Sequence, residues 1–394
     1  MRRVARVTSA ALAALAAGCA SGDRAGTVSF RDSAGVTIAE NAPAAAQAVT
    51  HWTIEQPALL TIGVLEGDSA YQFYHVGGAA LLADGRIAIL DAGSRELRFF
   101  ASDGRHIGSV GREGEGPGEF RAPFPLVRFA EDSLLVWDQE LQRFSVFDDE
   151  GALVRVAALD RSVLNPFLAG VFDDGHVLIG DHRLEVPPYG FAPTIAEFVR
   201  YTPAGAFADS VGGYPWMEIG RIGEADHGMV GGRTFAPRTS TAVRGERFWI
   251  GTGAEGSVDV RDRAGALRRI VRWDPGDQTV GPEDQARNLA ERFGDAPPEV
   301  RRSFEQVPAL ERFPAYGELG ADAEGDLWVK AYRRPGQVGP DRWLVFDPEG
   351  ALIARLETPA SMRILEAAAD RVLCVVSDEF DVERVALFAL RKGG

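Results

Sequence analysis

One unit recurs six times along the chain, and a repeat of this kind constrains the fold more than any single motif. Each copy opens on an apolar strand-like run and a loop, then an alternating run, a tight glycine turn and a further run. ADGRIAILD (83–91) precedes RELRFFASDGRHIGSV (95–110), and EDSLLVWD (131–138) precedes QRFSVFDDEGALVRV (142–156). DDGHVLIGD (173–181) pairs with EFVRYTPAGAFADSV (197–211), and RGERFWIG (244–251) with GSVDVRDRAGALRRIV (256–271). AEGDLWVKA (323–331) pairs with DRWLVFDPEGALIARL (341–356), and ADRVLCVVSD (369–378) with ERVALFALRKG (383–393). Period-two alternation with β-branched and aromatic residues predicts strands, and Asp-Gly, Glu-Gly and Ala-Gly predict tight hairpins. A short run before each first turn, such as VGGAALLA (76–83), supplies a fourth strand.

Six units of four strands predict an all-β fold, a six-bladed β-propeller. The last unit lacks its fourth strand, and HWTIEQPALLTIG (51–63) can provide it, so an N-terminal strand closes the last blade and hides a sheet edge. TVSFRDSAGVTIAEN (27–41) reads as an accessory hairpin, with linker to residue 50. A seventh blade is the weaker alternative, because only two strands are left for it. The propeller is thus expected over 51–394, with a helical insertion at about 281–308, where Pro282 suits a first helical position and acidic residues precede basic ones.

GREGEGPGEF (111–120), with DGRIAILD before it, resembles the six-bladed propeller lipoproteins of bacteria related to NHL-repeat proteins. The resemblance implies the propeller and leaves function open, since propellers host many activities. The segment itself is no phosphate cradle: RAPFPLVRF follows where a helix would be needed, and three glutamates repel phosphate. It reads as a crossing between blades, with Phe120 as its anchor.

Residues 1–18 read as a signal peptide. Arg2, Arg3 and Arg6 precede an apolar run from Val7 to Ala17 that is too short to span a bilayer. Ala16-Ala17-Gly18-Cys19 resembles a lipoprotein cleavage site, which implies lipidation of Cys19 and a tether over 19–26; an ordinary secretory signal is the alternative. The expected address is the cell envelope, lipid-anchored in the outer membrane of a Gram-negative bacterium, periplasmic or surface facing, with membrane contact through the anchor only. Without the three N-terminal arginines, 39 basic residues face 57 acidic ones, and such a surface excludes nucleic acid as partner. Cys374 is the only other cysteine, so neither a disulfide framework nor a cysteine zinc site can form.

Length variation falls on one face. Turns between the first and second strands, and between the third and fourth, are uniformly short. The long segments are 182–194, 332–341, 213–235 and 274–316, all on the opposite face. Long ordered loops on a rigid scaffold are where binding concentrates. The candidate ligand-binding residues there are His182, Arg183, Tyr189, Trp216, His227, Arg233, Arg238, Lys330, Tyr332 and Arg333. No catalytic residue, metal ligand or cofactor site is assigned: the chain holds no HExxH, no GxSxG and no close histidine pair. Asp91, Asp138 and Asp181, with Arg95 and Arg143 following the first two, read as a repeated brace between blades. The expected function is a non-catalytic binding module for protein, peptide or glycan; the alternative is a lyase or hydrolase working in the central funnel of the same face.

Overall fold

A computed structural model describes residues 28–129, 132–161, 163–223 and 229–393, with no side-chain account of Ala46 and Gln47. The signal peptide, Cys19, the tether and His227 lie outside the described residues. Six sheets make the molecule a six-bladed β-propeller. The inner strands are Val76–Leu81, Pro123–Phe129, Pro166–Val171, Ser240–Arg244, Tyr316–Ala321 and Met362–Ala367. Within each blade the strands are antiparallel neighbours in chain order.

Burial explains why the ring closes. Each junction between blades has its own apolar core, so the chain builds six cores rather than one. Between blades one and two, Leu90, Leu97 and Phe99 meet Leu126, Leu134 and Phe147. Between blades six and one, Leu373, Val375, Val385 and Leu387 meet Ile87, Ile89 and Phe100. Strands therefore bury both faces, which is why Ile87–Asp91 is buried at every position.

The N-terminal closure is split. Thr53–Ile54 and Leu60–Ile62 both pair with Glu383–Arg391 of blade six. Pro57, which has no N–H to donate, separates the two pieces. Thr50–His51 departs from the expected strand: it pairs in parallel with Ala354 and Arg355 of blade five. The hairpin Val28–Ser33 and Val36–Asn41 adds to the outer edge of blade four, in parallel register with Leu267–Arg272.

One of the expected loops is largely strand. In blade three, Phe191–Tyr201 and Phe207–Ile222 form one long ribbon, and Met229–Gly232 pairs back on its end. Among the described residues, most of 213–235 is thus a projecting sheet, and 182–194 is strand only at its two ends. The helices in 274–316 are present as Pro282–Phe293 and Pro298–Glu305. Asp284 accepts the Gly281 N–H at 2.9 Å at the start of the first, and Phe293 stacks on Phe304 at 3.8 Å to join the two.

The GREGEGPGEF segment is a compact crossing. Phe120, fully buried, fills the core between blades one and two. A Cβ on Gly111 would lie 2.7 Å from the Phe120 ring, and Gly111 has φ +95°, so only glycine fits there. Arg143 clamps the segment by donating to the Glu115, Gly116 and Glu119 carbonyls at 2.6–2.8 Å.

The aspartates that end the second strands do not brace one blade to another. Each holds the chain entering its own blade. Asp91 accepts the N–H groups of Tyr74 and His75, Asp138 those of Arg121 and Ala122, and Asp181 those of Leu164 and Asn165. The arginines do make the link: Arg95 of blade one donates to the Arg121 carbonyl at 3.0 Å, at the entry to blade two, and Arg143 of blade two holds the crossing from blade one.

Candidate functional site

The sequence-predicted residues gather into three clusters. The first lies between blades three and four. Trp216, carried by the long ribbon, stacks on Phe167 at 4.5 Å and on His182 at 5.8 Å. The Arg238 guanidinium sits 4.7 Å over the same indole. The Thr239 hydroxyl donates to the Pro215 carbonyl, which fixes the strand carrying Trp216. His182 Nδ1 is buried without a hydrogen-bond partner. Burial holds the His182 imidazole below the usual histidine range; Arg238 adds to the shift, while the Asn165 backbone and Asp181 oppose it.

The second cluster belongs to blade five. Asp341, 4% exposed, receives Lys330 at 2.9 Å and Arg333 at 2.7 Å. Arg333 also donates to the carbonyls of Gln337 and Gly339, so it folds the 332–340 loop back on itself. Tyr332 stacks on Phe313 at 5.7 Å. These two cations are paired, in a network built around one buried acid. The third cluster is Arg233, which meets Glu218 at 3.1 Å and the Pro308 carbonyl at 3.0 Å. Arg183 and Tyr189 stand apart; Tyr189 is 90% exposed.

The insertions support one another. Leu310 donates to Thr234 at 3.2 Å, and Gly336 donates to Glu291 on the first helix at 2.6 Å. Arg334 reaches the Asp277 carbonyl. Blade three's ribbon, the helical crossing and the blade-five loop therefore form one layer over a sector of the face. A cavity of about 450 Å³ lies within it, between Arg233, Pro237, Glu255 and Leu310–Pro314.

Sequence reasoning missed the channel mouth. Glu318, on the inner strand of blade five, lies 3.8 Å from Lys330. Burial raises its carboxyl above the usual range, while Lys330 and Arg363 pull it back. Its side chain is nonetheless 48% exposed, as fits a group surrounded by protein in an open mouth. Arg363 donates to the Val76 carbonyl at 2.7 Å, and Glu383 accepts the Val76 N–H at 2.6 Å, tying blade six to blade one. The available signal was the charged residues of the inner strands YGELGA and MRILEA, where VGGAAL carries none.

Exposed large apolar side chains are distributed unevenly. Tyr74, Phe124, Leu164, Leu184, Tyr189, Met229, Val230, Val338 and Phe380 all lie on the insertion-bearing face. Leu59, Ile107, Leu153, Val154 and Ile195 sit on the flanks of blades, and none of the tight turns carries one. The tight-turn end of the channel opens instead into a polar cavity of about 590 Å³, lined by Arg128, Asp173, Arg244, Arg247, Trp249 and Glu324 among others. Among the described residues no helix is long and apolar enough to cross a membrane.

No protein-family model and no curated protein matches the chain. Solved structures do. A Bacteroides fragilis protein designated as exported is 11% identical, with 91% of this chain and 100% of that one covered, at a TM-score of 0.50. A DUF4221 member from Bacteroides vulgatus is 10% identical, covering 87% and 99%, at 0.51. Virginiamycin B lyase from Staphylococcus aureus is 8% identical, covering 86% and 99%, at 0.42. With the first two the likeness is one of architecture, and what the chain shares with them is the β-propeller.

Proposed function

We propose that the protein is a non-catalytic interaction module of the bacterial cell envelope, anchored through a lipid on Cys19 and related to the NHL-type propeller lipoproteins. Its insertion-bearing face is the binding surface, and its partner is a protein, peptide or glycan. The observation that carries this reading is the concentration of exposed large apolar side chains on the insertion-bearing face. Solvent-facing apolar groups gathered on one surface mark interaction sites, whereas scattered ones need no explanation. A protein or peptide suits those side chains best, because aromatic and aliphatic anchors dominate such interfaces.

Photo-crosslinking residues placed at Tyr189 and Val338 in cells, against Asp103 and Glu349 in the tight turns, test the surface. Adducts are expected from the first pair alone; adducts from the turns alone, or equally from both pairs, would sink the assignment. For the anchor, Cys19→Ser is expected to move the protein out of the membrane fraction, and an unchanged distribution refutes lipidation.

One observation favours a catalytic alternative on the same face. Glu318 combines a channel-mouth position with a raised proton affinity and two cations nearby, the setting of a general acid. A Glu318→Gln variant with undiminished partner capture but no turnover, in a screen of lactone and ester substrates, would support it.

A further inference from the structure

The turn joining the first two strands of blade five, Asp322-Ala-Glu-Gly-Asp326, carries three carboxylates at alternate positions. One oxygen from each of Asp322, Glu324 and Asp326 lies within 4.8 Å of the others. Asp322 is fully buried and is held by three donors: the N–H groups of Glu324 and Asp326, both at 2.9 Å, and the Trp328 indole at 3.1 Å. Asp326 is only 6% exposed, yet its carboxylate has no hydrogen-bond or ion-pair partner among the described residues. It faces Asp322 and Glu324, with Asp347 beyond them. Lys392 is the cation nearby, and it binds Glu324.

The repeat itself shows what is missing. In blade one the residue after the turn glycine is Arg86, which meets Asp84 and also Asp149 at 2.7 Å. In blade three it is His176, 3.0 Å from Asp174, which Arg263 also meets. In blade five the same place holds Asp326. Of the four turns with a glycine at this place, blade one follows it with Arg86, blade three with His176 and blade four with the exposed Glu246; only blade five puts a buried acid there. Burying an unpartnered carboxylate beside another is strongly unfavourable, and a bound cation removes the penalty.

We propose that this turn binds a hard divalent cation of the calcium class, with Asp326, Glu324 and the remaining lone pairs of Asp322 as its protein ligands. Oxygen donors of this kind suit such an ion, and three carboxylates completed by water suit the weak sites of extracellular modules, with dissociation constants on the order of 10⁻⁴–10⁻³ M. The way in is open, because Ala323, Glu324 and Gly325 line the cavity of about 590 Å³ at the tight-turn mouth. The site lies on the opposite face from the insertions, so it stands whatever that face binds.

Terbium replaces calcium in oxygen sites, and Trp328, bonded to Asp322, is placed to sensitise its emission. Titration of the full chain with Tb³⁺ is expected to give saturable emission that Ca²⁺ displaces. Asp326→Asn should reduce it to background, and Glu324→Gln should weaken binding about tenfold. Ca²⁺ should raise the Tm of the wild type and leave that of Asp326→Asn unchanged. Absent emission, or emission that survives both variants, overturns the proposal. So does an Asp326→Asn protein that is more stable than the wild type by the same margin with and without Ca²⁺, because the buried carboxyl would then be satisfied by a proton. Should Asp326→Asn fail to fold, Glu324→Gln on an exposed side chain decides alone: unweakened Tb³⁺ binding refutes the site.

Discussion

At one end of the channel the strands are joined by turns a few residues long; at the other, by crossings that carry a sheet extension, two helices and most of the exposed apolar surface. The short turns repeat one device. Asp148, Asp262 and Asp347 each accept the N–H four residues on with a side-chain oxygen, while their carbonyls accept the N–H of the turn glycine. Charged side chains then pair across neighbouring turns, as Arg86 does with Asp149 and Arg263 with Asp174. Nothing there varies in length, because each turn packs on its neighbour. A Cβ on Gly205 would lie 2.1 Å from the Ala158 carbonyl. The long crossings meet no such limit, since they project beyond the blades. The difference teaches where this scaffold can accept change: chain is added where it rests on solvent, and excluded where turns of adjacent blades touch.

Substitutions can break that contrast or sharpen it. The largest effects are expected beneath the insertion face. Trp216→Ala removes the ring between Phe167, His182 and Arg238 and should cost about 3–5 kcal/mol in urea unfolding. Asp91→Ala removes the fully buried partner of Arg98, 4% exposed, leaving it only the partly exposed Glu96, and frees two N–H groups of the crossing. A similar loss of about 3–5 kcal/mol is expected. By comparison Arg86→Ala, in a tight turn, should cost only about 1 kcal/mol, because Asp84 and Asp149 are both partly exposed. A loss as large as that of Asp91→Ala would show that the turn face is held by its charges.

The pH dependence separates the two mouths further. The Glu318 carboxyl is raised in the folded state, so over the window above the ordinary carboxylate pKa the folded form binds more protons than the unfolded. Its contribution is full at low pH and is lost as pH rises through the folded value. Glu318→Gln should therefore match the wild type in Tm near pH 4 and exceed it at pH 8. A Tm difference that does not change with pH would refute the shift. The smallest effect on stability is expected at the rim. Tyr189→Asp and Val338→Asp should stay within about 0.5 kcal/mol of the wild type while partner capture falls, and unchanged capture would count against the apolar side chains of this face as the binding surface.

Much of this architecture was legible in the chain. Period-two runs and glycine turns located six blades, because a strand buried on both faces and a positive-φ turn each demand particular residues. Pro282 and the charge order of 283–292 likewise marked a helix whose end effects are local. The ribbon 191–222 was less legible: its residues alternate like a strand, but Pro193, Pro215 and paired glycines read as loop, and only pairing along its length makes it sheet. The site was legible in part. His182, Trp216 and Arg238 were singled out separately and do converge, whereas Lys330 and Arg333 are spent on Asp341. Glu318, Arg363 and Glu383 come from blades five and six and meet blade one only because the ring closes.

What the sequence determined by itself is therefore the local chemistry: alternation, turn residues, a helix start, and the face on which chain length varies. These follow from backbone sterics and from burial within a few residues. Which side chains meet across the channel was decided by the tertiary structure alone. Closing the ring sets the angle and height of every inner strand together, and no window of sequence contains that constraint. The same holds for the Asp322–Asp326 turn, whose acids read as an ordinary hairpin until burial left one of them without a partner.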